Sequence, residues 1–235
     1  MNILGVRVDN LSQKEILAKV TTFLQGDSFH QIATVNPEFI LGAQKDPAFK
    51  EAVNGADLCL ADGVGIGFAC LRFGKRLKAR MTGVDLMEEI LRLASINHQP
   101  VFLVASTEGL SSWEEARDAI LRTHPSLQIT GATLDPAAPP GEDSPIAGEL
   151  LFCSFGAPRQ ELFIRSLKTQ KNSRIRLAMG VGGGFDFLTR KVRRAPRFWR
   201  AIGLEWAWRF LQEPRYRAKR IFRSVVLFPI KIIFN

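Results

Sequence analysis

The sequence predicts an α/β protein: a mainly parallel sheet with helices on both faces, followed by a basic helical appendage. Three observations carry this. Short apolar runs bounded by glycine or proline alternate with amphipathic helical stretches, the pattern of strand–helix–strand units. The run Leu58-Cys59-Leu60-Ala61 is continuously apolar, as a strand buried on both faces must be. The charge changes abruptly at Arg190: residues 190–235 carry 13 of the 32 Lys and Arg but only two of the 23 acids, Glu205 and Glu213.

Taken in order, Ile3 to Val8 is expected as a first strand. Ser12 to Leu24 reads as a helix, with Ser12 and Glu15 forming a capping box. Gln31 to Val35 is a strand ending at Asn36-Pro37. Pro37 and Pro47 suit the first turns of two short helices, 37–44 and 47–54. The Leu58 strand ends at Asp62-Gly63, and a helix over 63–71 precedes a basic loop with Lys75, Arg76, Lys78 and Arg80. Asp85 to Asn97 is an amphipathic helix. Beyond it, strands are expected at 101–105, 127–130, 149–155 and 175–179, and helices at 111–123 and 158–168. Four prolines in 132–147 predict a loop. Together these give a Rossmann-like core over residues 1–189 and an appendage over 190–235.

In the appendage, Trp199, Ile202, Trp206 and Phe210 form one helical stripe, interrupted at Glu213-Pro214. Ala218, Ile221, Phe222, Val225 and Val226 form a second, and the chain ends in LFPIKIIF. Basic amphipathic helices of this kind suit an anionic membrane surface. The same stripes would also serve for packing on the core, with the arginines solvated. No leader peptide and no apolar run of about 20 residues is read from the sequence. The three cysteines lack paired spacing and the three histidines stand apart, so neither a disulfide framework nor a zinc site is expected.

Polar or glycine-rich clusters fall at four predicted strand ends: Thr34-Val-Asn36, Asp62-Gly63, the segment Gly156 to Glu161 with Arg159 and Gln160, and Gly180 to Asp186. In a parallel sheet these ends share one edge, where ligands bind. Asp62 there could act as a general base, or merely cap the next helix or make a turn. The amides of Gly180, Gly182 and Gly183 could cradle a diphosphate, or form a tight turn. Asp186 reads as a helix cap, and Arg80 and Asp85 flank a predicted N-cap at Thr82-Gly83. Neither glycine loop has the dinucleotide or Walker pattern. No Asp-x-Asp pair sits at a strand end to hold a metal on a diphosphate, so that charge would fall to backbone dipoles and arginine.

TVNPEFILGAQKDPAFKEAVNGADLCLADGVG, MTGVDLMEEIL, FGAPRQE, GVGGGFDFLTRKVRRAP and GLEWAWRFLQEP resemble, in order, the motifs of the WecG/TagA/CpsF family of bacterial glycosyltransferases. The resemblance runs from about Ile3 to about Arg223. It implies an inverting, metal-independent and cofactor-free transfer of a sugar, with N-acetylmannosamine expected, from a UDP-sugar to undecaprenyl-diphosphate-linked N-acetylglucosamine. A UDP-hexose or a UDP-linked uronic acid remains an alternative donor. The resemblance makes Asp62 the base, puts Thr34, Asn36, Gly63 and Gln160 in the substrate pocket, and brings appendage arginines, here Arg215, Arg217, Arg220 and Arg223, to the diphosphates. It departs from the family where Arg159 replaces a lysine and Tyr216 an arginine. Expected partners are the donor, the lipid-linked acceptor, an anionic membrane on the cytoplasmic side and, off the membrane, further copies of the chain. Nucleic acid is not expected, although an adaptor binding it through the basic tail is the rival class.

Overall fold

The computed structural model describes residues 1–138, 146–168 and 174–234. A small hairpin, β1 (Asn2–Ile3) and β2 (Val6–Arg7), opens the chain where one strand over 3–8 was expected. Leu4 and Gly5 both take positive φ, +50° and +80°, the sign pattern of a tight two-residue hairpin turn. The Asn2 side chain accepts from the Gly5 N–H at 2.6 Å. Helix α1 (Gln13–Gln25) follows with the expected Ser12–Glu15 capping box.

Six parallel strands form the main sheet: β3 (His30–Val35), β4 (Leu58–Ala61), β5 (Val101–Ser106), β6 (Ile129–Leu134), β7 (Leu150–Cys153) and β8 (Leu177–Gly180). Their order across the sheet is β4-β3-β8-β7-β5-β6. Strand β6 runs four residues further than expected, paired to β5 from Val101↔Ile129 to Ser106↔Leu134. Its stretch ITGATL is free of proline, so the loop starts only near Pro136. Pro139, Pro140 and Pro145 lie outside the described residues.

Side chains alternate strictly between two faces, as the pleat requires. Ile32, Leu58, Leu60, Leu103, Phe152 and Met179 point into one core, against α1, α5 (Gly83–Asn97) and α6 (Trp113–Leu121). Ala33, Val35, Cys59 and Ala61 point to the other face, beneath α2 (Pro37–Ala43), α3 (Pro47–Asn54) and α4 (Val64–Arg72). Phe102, Leu151 and Ala178 pack there against α7 (Arg159–Leu167). The two proline-initiated helices α2 and α3 carry side-chain caps, Asn36 and Asp46.

After the short α8 (Gly184–Leu188) come α9 (Arg197–Ala201), α10 (Glu205–Gln212), α11 (Pro214–Ile221), a π-helical turn (Phe222–Leu227) and α12 (Phe228–Ile233). The chain breaks at Glu213-Pro214, as the sequence suggests. The terminal apolar run does not end free: Phe228 and Ile232 are fully buried in the core beneath α2 and α4. A side chain on Gly65 would collide with Pro37, so glycine there lets the start of α2 lie against α4, with Phe228 of α12 packed alongside. Among the described residues, no helix is long and apolar enough to cross a membrane.

Candidate active site

The four polar clusters do share one edge. Strands β4, β3, β8 and β7 are consecutive neighbours, with Val35 level with Ala61 and Cys153 level with Gly180, so the segments following them emerge side by side.

Asp62 follows β4 directly, and its N–H donates to Val35 O at 2.8 Å. The N-cap of α4 is Gly63, at φ +89°, without a side-chain cap bond. The carboxylate therefore does not cap the helix, and among the described residues it makes no hydrogen bond. Its pKa is raised to about 7, chiefly by burial and then by Glu205 from α10 and by Asp85, against the opposing pull of Arg80 and Arg209. It nonetheless retains partial solvent access. The result is a carboxyl poised to exchange a proton near neutrality.

Beside it, Thr34 is buried, and its Oγ1 lies 3.4 Å from where a Cβ on Gly83 would sit. Asn36 caps α2, accepting from Phe39 N–H at 3.1 Å. Gln160 is only 3% exposed. Its Oε1 accepts from the N–H groups of Gly156 and Gly182, each at 3.0 Å, and its Nε2 donates to Glu161 Oε1 at 2.7 Å. A Cβ on Gly180 would collide with the Gln160 amide, whereas the Cα of Gly182, at φ +50°, faces open space. Gly180 thus makes room for a side chain, and the open space is at Gly182, while Gly183 faces Arg209 and Asp186.

Asp186 lies in the first turn of α8 and accepts from Ser111 Oγ at 2.8 Å, tying the glycine loop to the segment after β5. Arg159 pairs with Glu108, in the segment after β5, at 2.8 Å. Asp85 is engaged by the appendage: Arg194 Nη2 meets it at 2.6 Å and Arg200 at 3.7 Å. Thr82 supplies the N-cap of α5. Arg80 donates to the carbonyl of Arg200. Arg80 and Asp85 are therefore mooring points for the strap that carries α10 over the cleft.

That roof contains a residue the sequence reading missed. Arg209, on α10, brings Nη2 within 3.3 Å of a Cβ placed on Gly183, and its guanidinium lies 4.7 Å above the Phe187 ring centre. Its pKa is lowered to about 10, chiefly by burial and then by the neighbouring Arg217 and Arg220, with Glu205 and Glu213 opposing. The signal was present: Arg209 stands three residues after Trp206, a cation on the apolar side of an amphipathic helix. Arg217 is nearly buried and pairs with Glu213 at 2.7 Å. Arg220 and Arg223 approach Glu38, in the first turn of α2, at 3.9 and 3.7 Å. Arg215 is exposed. Among the described residues, no group of three His, Cys, Asp or Glu is placed to hold a metal ion.

A second depression, about 300 Å³, lies at the amino end of the sheet between α3 and α7. Its cations are neutralised there, Arg165 by Glu51 and Lys168 by Asp57, so it offers no comparable anion site.

A parallel α/β sheet with a titratable carboxyl and an arginine roof at its carboxyl edge has the layout of a group-transfer enzyme acting on an anionic donor. The chain belongs to the WecG/TagA/CpsF family of glycosyl transferases, which it matches over residues 1–235, and it is a glycosyltransferase. It is similar to the N-acetylglucosaminyldiphosphoundecaprenol N-acetyl-beta-D-mannosaminyltransferases of Staphylococcus aureus strains MRSA252 and MW2. Each is 31% identical to it over 238 residues, which cover 99% of this chain and 91% of the relative.

Proposed function

We propose that this chain transfers N-acetylmannosamine, with inversion and without a metal, from its UDP-sugar to N-acetylglucosamine carried on undecaprenyl diphosphate. The observation that carries the reading is the pairing of Asp62 with Arg209 across one cleft, in a chain whose relatives bear that acceptor in their names. Asp62 removes the proton from the acceptor hydroxyl as that oxygen attacks the anomeric carbon. The bond to the UDP oxygen breaks on the opposite side. Arg209 and the Gly183 N–H beside it take up the negative charge of the departing diphosphate, the Gly182 N–H being held by Gln160. The carboxyl, raised towards neutrality, can accept a proton and still ionise in the cell's pH range.

The acceptor is a lipid, so the chain works at the cytoplasmic face of a membrane. Support for docking there is a set of exposed apolar side chains: Phe68 and Leu71 on α4, Phe198 on α9, and Ile230 and Phe234 in the last stretch of the chain. Arg72 ends α4, Lys75 and Arg76 follow it closely, and all three suit anionic headgroups. The test is release of UDP from a panel of UDP-sugars in the presence of the lipid-diphosphate acceptor. Turnover with UDP-N-acetylmannosamine alone is expected. Faster turnover with a UDP-hexose would move the donor assignment, and no release with any donor would end the transferase reading in favour of an adaptor.

A further inference from the structure

Gln160 and Glu161 begin α7 directly under the two glycine loops, and both are almost wholly buried, at 3% and 2% exposure. Both ends of the Gln160 amide are engaged inside the protein: Oε1 by Gly156 and Gly182, Nε2 by Glu161. An amide has two ends of nearly equal size, so shape alone does not choose between them. Turning it over would set its NH2 against two backbone donors. Among the described residues, Glu161 Oε1 is the acceptor that holds Nε2 on the correct side. Gln31, 2% exposed, donates from Nε2 to the Glu161 carbonyl at 3.4 Å and closes the back of the cluster. Glycine at 180 completes the seat, since any side chain there would occupy the place of the Gln160 amide.

We propose that Glu161 is a positioning residue of the donor site: it locks the Gln160 amide, which in turn clasps the Gly156 and Gly182 loops in the shape that receives the donor's diphosphate. The proposal rests on the assignment of the Gly182 loop to that diphosphate. It makes Gln160 a strut between two loops instead of a sugar contact. Burial pushes the Glu161 carboxyl up to about 8, so at neutral pH it is mainly the uncharged acid, with a carbonyl oxygen left for Gln160. Glutamine at 161 offers the same carbonyl with no charge, and leucine offers none.

The experiment compares the full chain with Glu161→Gln, Glu161→Leu, Gln160→Met and the Gln160→Met/Glu161→Leu pair. UDP affinity is read by calorimetry, and donor KM and kcat by UDP release. Glu161→Leu is expected to weaken UDP binding and raise donor KM about tenfold, the scale of one buried hydrogen-bond arrangement lost. Its kcat at saturating donor should stay within about threefold, because geometry for chemistry is set by Asp62 and the roof. Glu161→Gln should restore both binding values to within about twofold, because the neutral acceptor is kept. Gln160→Met should reproduce the tenfold loss, and the pair should add nothing to it. Unchanged affinity in Glu161→Leu overturns the proposal, as does equal damage from Glu161→Gln. If Glu161→Leu does not fold, amide exchange in the ligand-free wild type decides: protection of both Gly156 and Gly182 is expected, and rapid exchange of either overturns the clasp. A wild type that binds no UDP would instead sink the donor assignment, and exchange would still report on the clasp.

Discussion

The floor of the cleft and its roof are held by opposite means. The floor consists of four strand ends and a buried polar pair, Gln160 and Glu161, locked by bonds of 2.7 to 3.0 Å. The roof helix α10 buries none of its residues, and α9 exposes Phe198 at 70%. The strap is moored by ion pairs such as Arg194 to Asp85 and Arg223 to Glu38, which are partly wet and individually contribute about 0–1 kcal/mol. Val192 and Ala195 are buried at its near end, and Phe228 and Ile232 enter the core at its far end. Few buried contacts mean a low free energy of local opening. In the proposed reaction, the rigid floor receives the diphosphate, while the weakly held roof lifts to admit the acceptor and returns Arg209.

The sharpest way to break this comparison is at the two groups that face each other across the cleft. Asp62→Asn should lower kcat by about 10² or more, the scale of general-base catalysis, with UDP affinity little changed. It should also stabilise the fold. The carboxyl's pKa is raised from 3.8 to about 7 on folding, so its ionisation opposes folding as pH rises through that interval. The gain in stability should therefore grow between about pH 4 and pH 7 and level off above, read by denaturant melts at each pH. The rate of the wild type should climb through the same midpoint, as the base ionises. A stability gain that does not change with pH would remove the raised carboxyl from the account.

Next in size is the roof cation. Arg209→Ala should lower kcat by about 10², with a smaller loss of UDP affinity, as expected for a donor that acts on developing charge. Arg209→Lys should recover part of the rate, since it restores charge without the planar fork. Arg215→Ala, at an exposed position of the same strap, should leave turnover unchanged. If Arg215→Ala and Arg209→Ala are equally harmful, the roof acts through general charge and not through one placed guanidinium. Removing residues 190–235 outright would be a poorer test than it looks from the sequence, because Phe228 and Ile232 leave with them. Phe228→Ala alone should destabilise the fold by about 3–5 kcal/mol, from lost transfer energy and the cavity left behind.

Much of the floor is legible from residue type. Ser12 with Glu15, Pro37 and Pro47 announce helix starts because each satisfies or removes an orphan N–H locally. The apolar run before Asp62 announces a strand buried on both faces, which β4 is, although it lies at the edge of the sheet. The hairpin at Leu4-Gly5 is hidden, since leucine is not a turn former and takes positive φ only through the pairing around it. The role of Gln160 is hidden too: whether an amide faces substrate or backbone depends on loops 4 and 22 residues away in sequence. The roof is least legible. A cation on an apolar stripe, such as Arg209, reads as an imperfection until the helix is laid over a glycine loop, and LFPIKIIF reads as an anchor until Phe228 finds its place beside Gly65.

The smallest expected effect separates body from strap at the proposed membrane face. Leu71, on α4, is 67% exposed, and Phe234, past α12, is 83% exposed. Neither contributes much to the core, so Leu71→Ser and Phe234→Ser should each shift stability by no more than about 0.5 kcal/mol. Burying either side chain in lipid is worth about 1.5–3 kcal/mol, so each change should weaken binding to vesicles containing anionic lipid about tenfold or more. Equal losses would mean that the body and the strap dock together and that the cleft mouth meets the membrane through α4 as well as through the tail. A loss confined to Phe234→Ser would make the body a passenger on its appendage. The acceptor would then have to be lifted out of the bilayer to reach Asp62, because the helix that begins beside that carboxylate would not itself touch lipid.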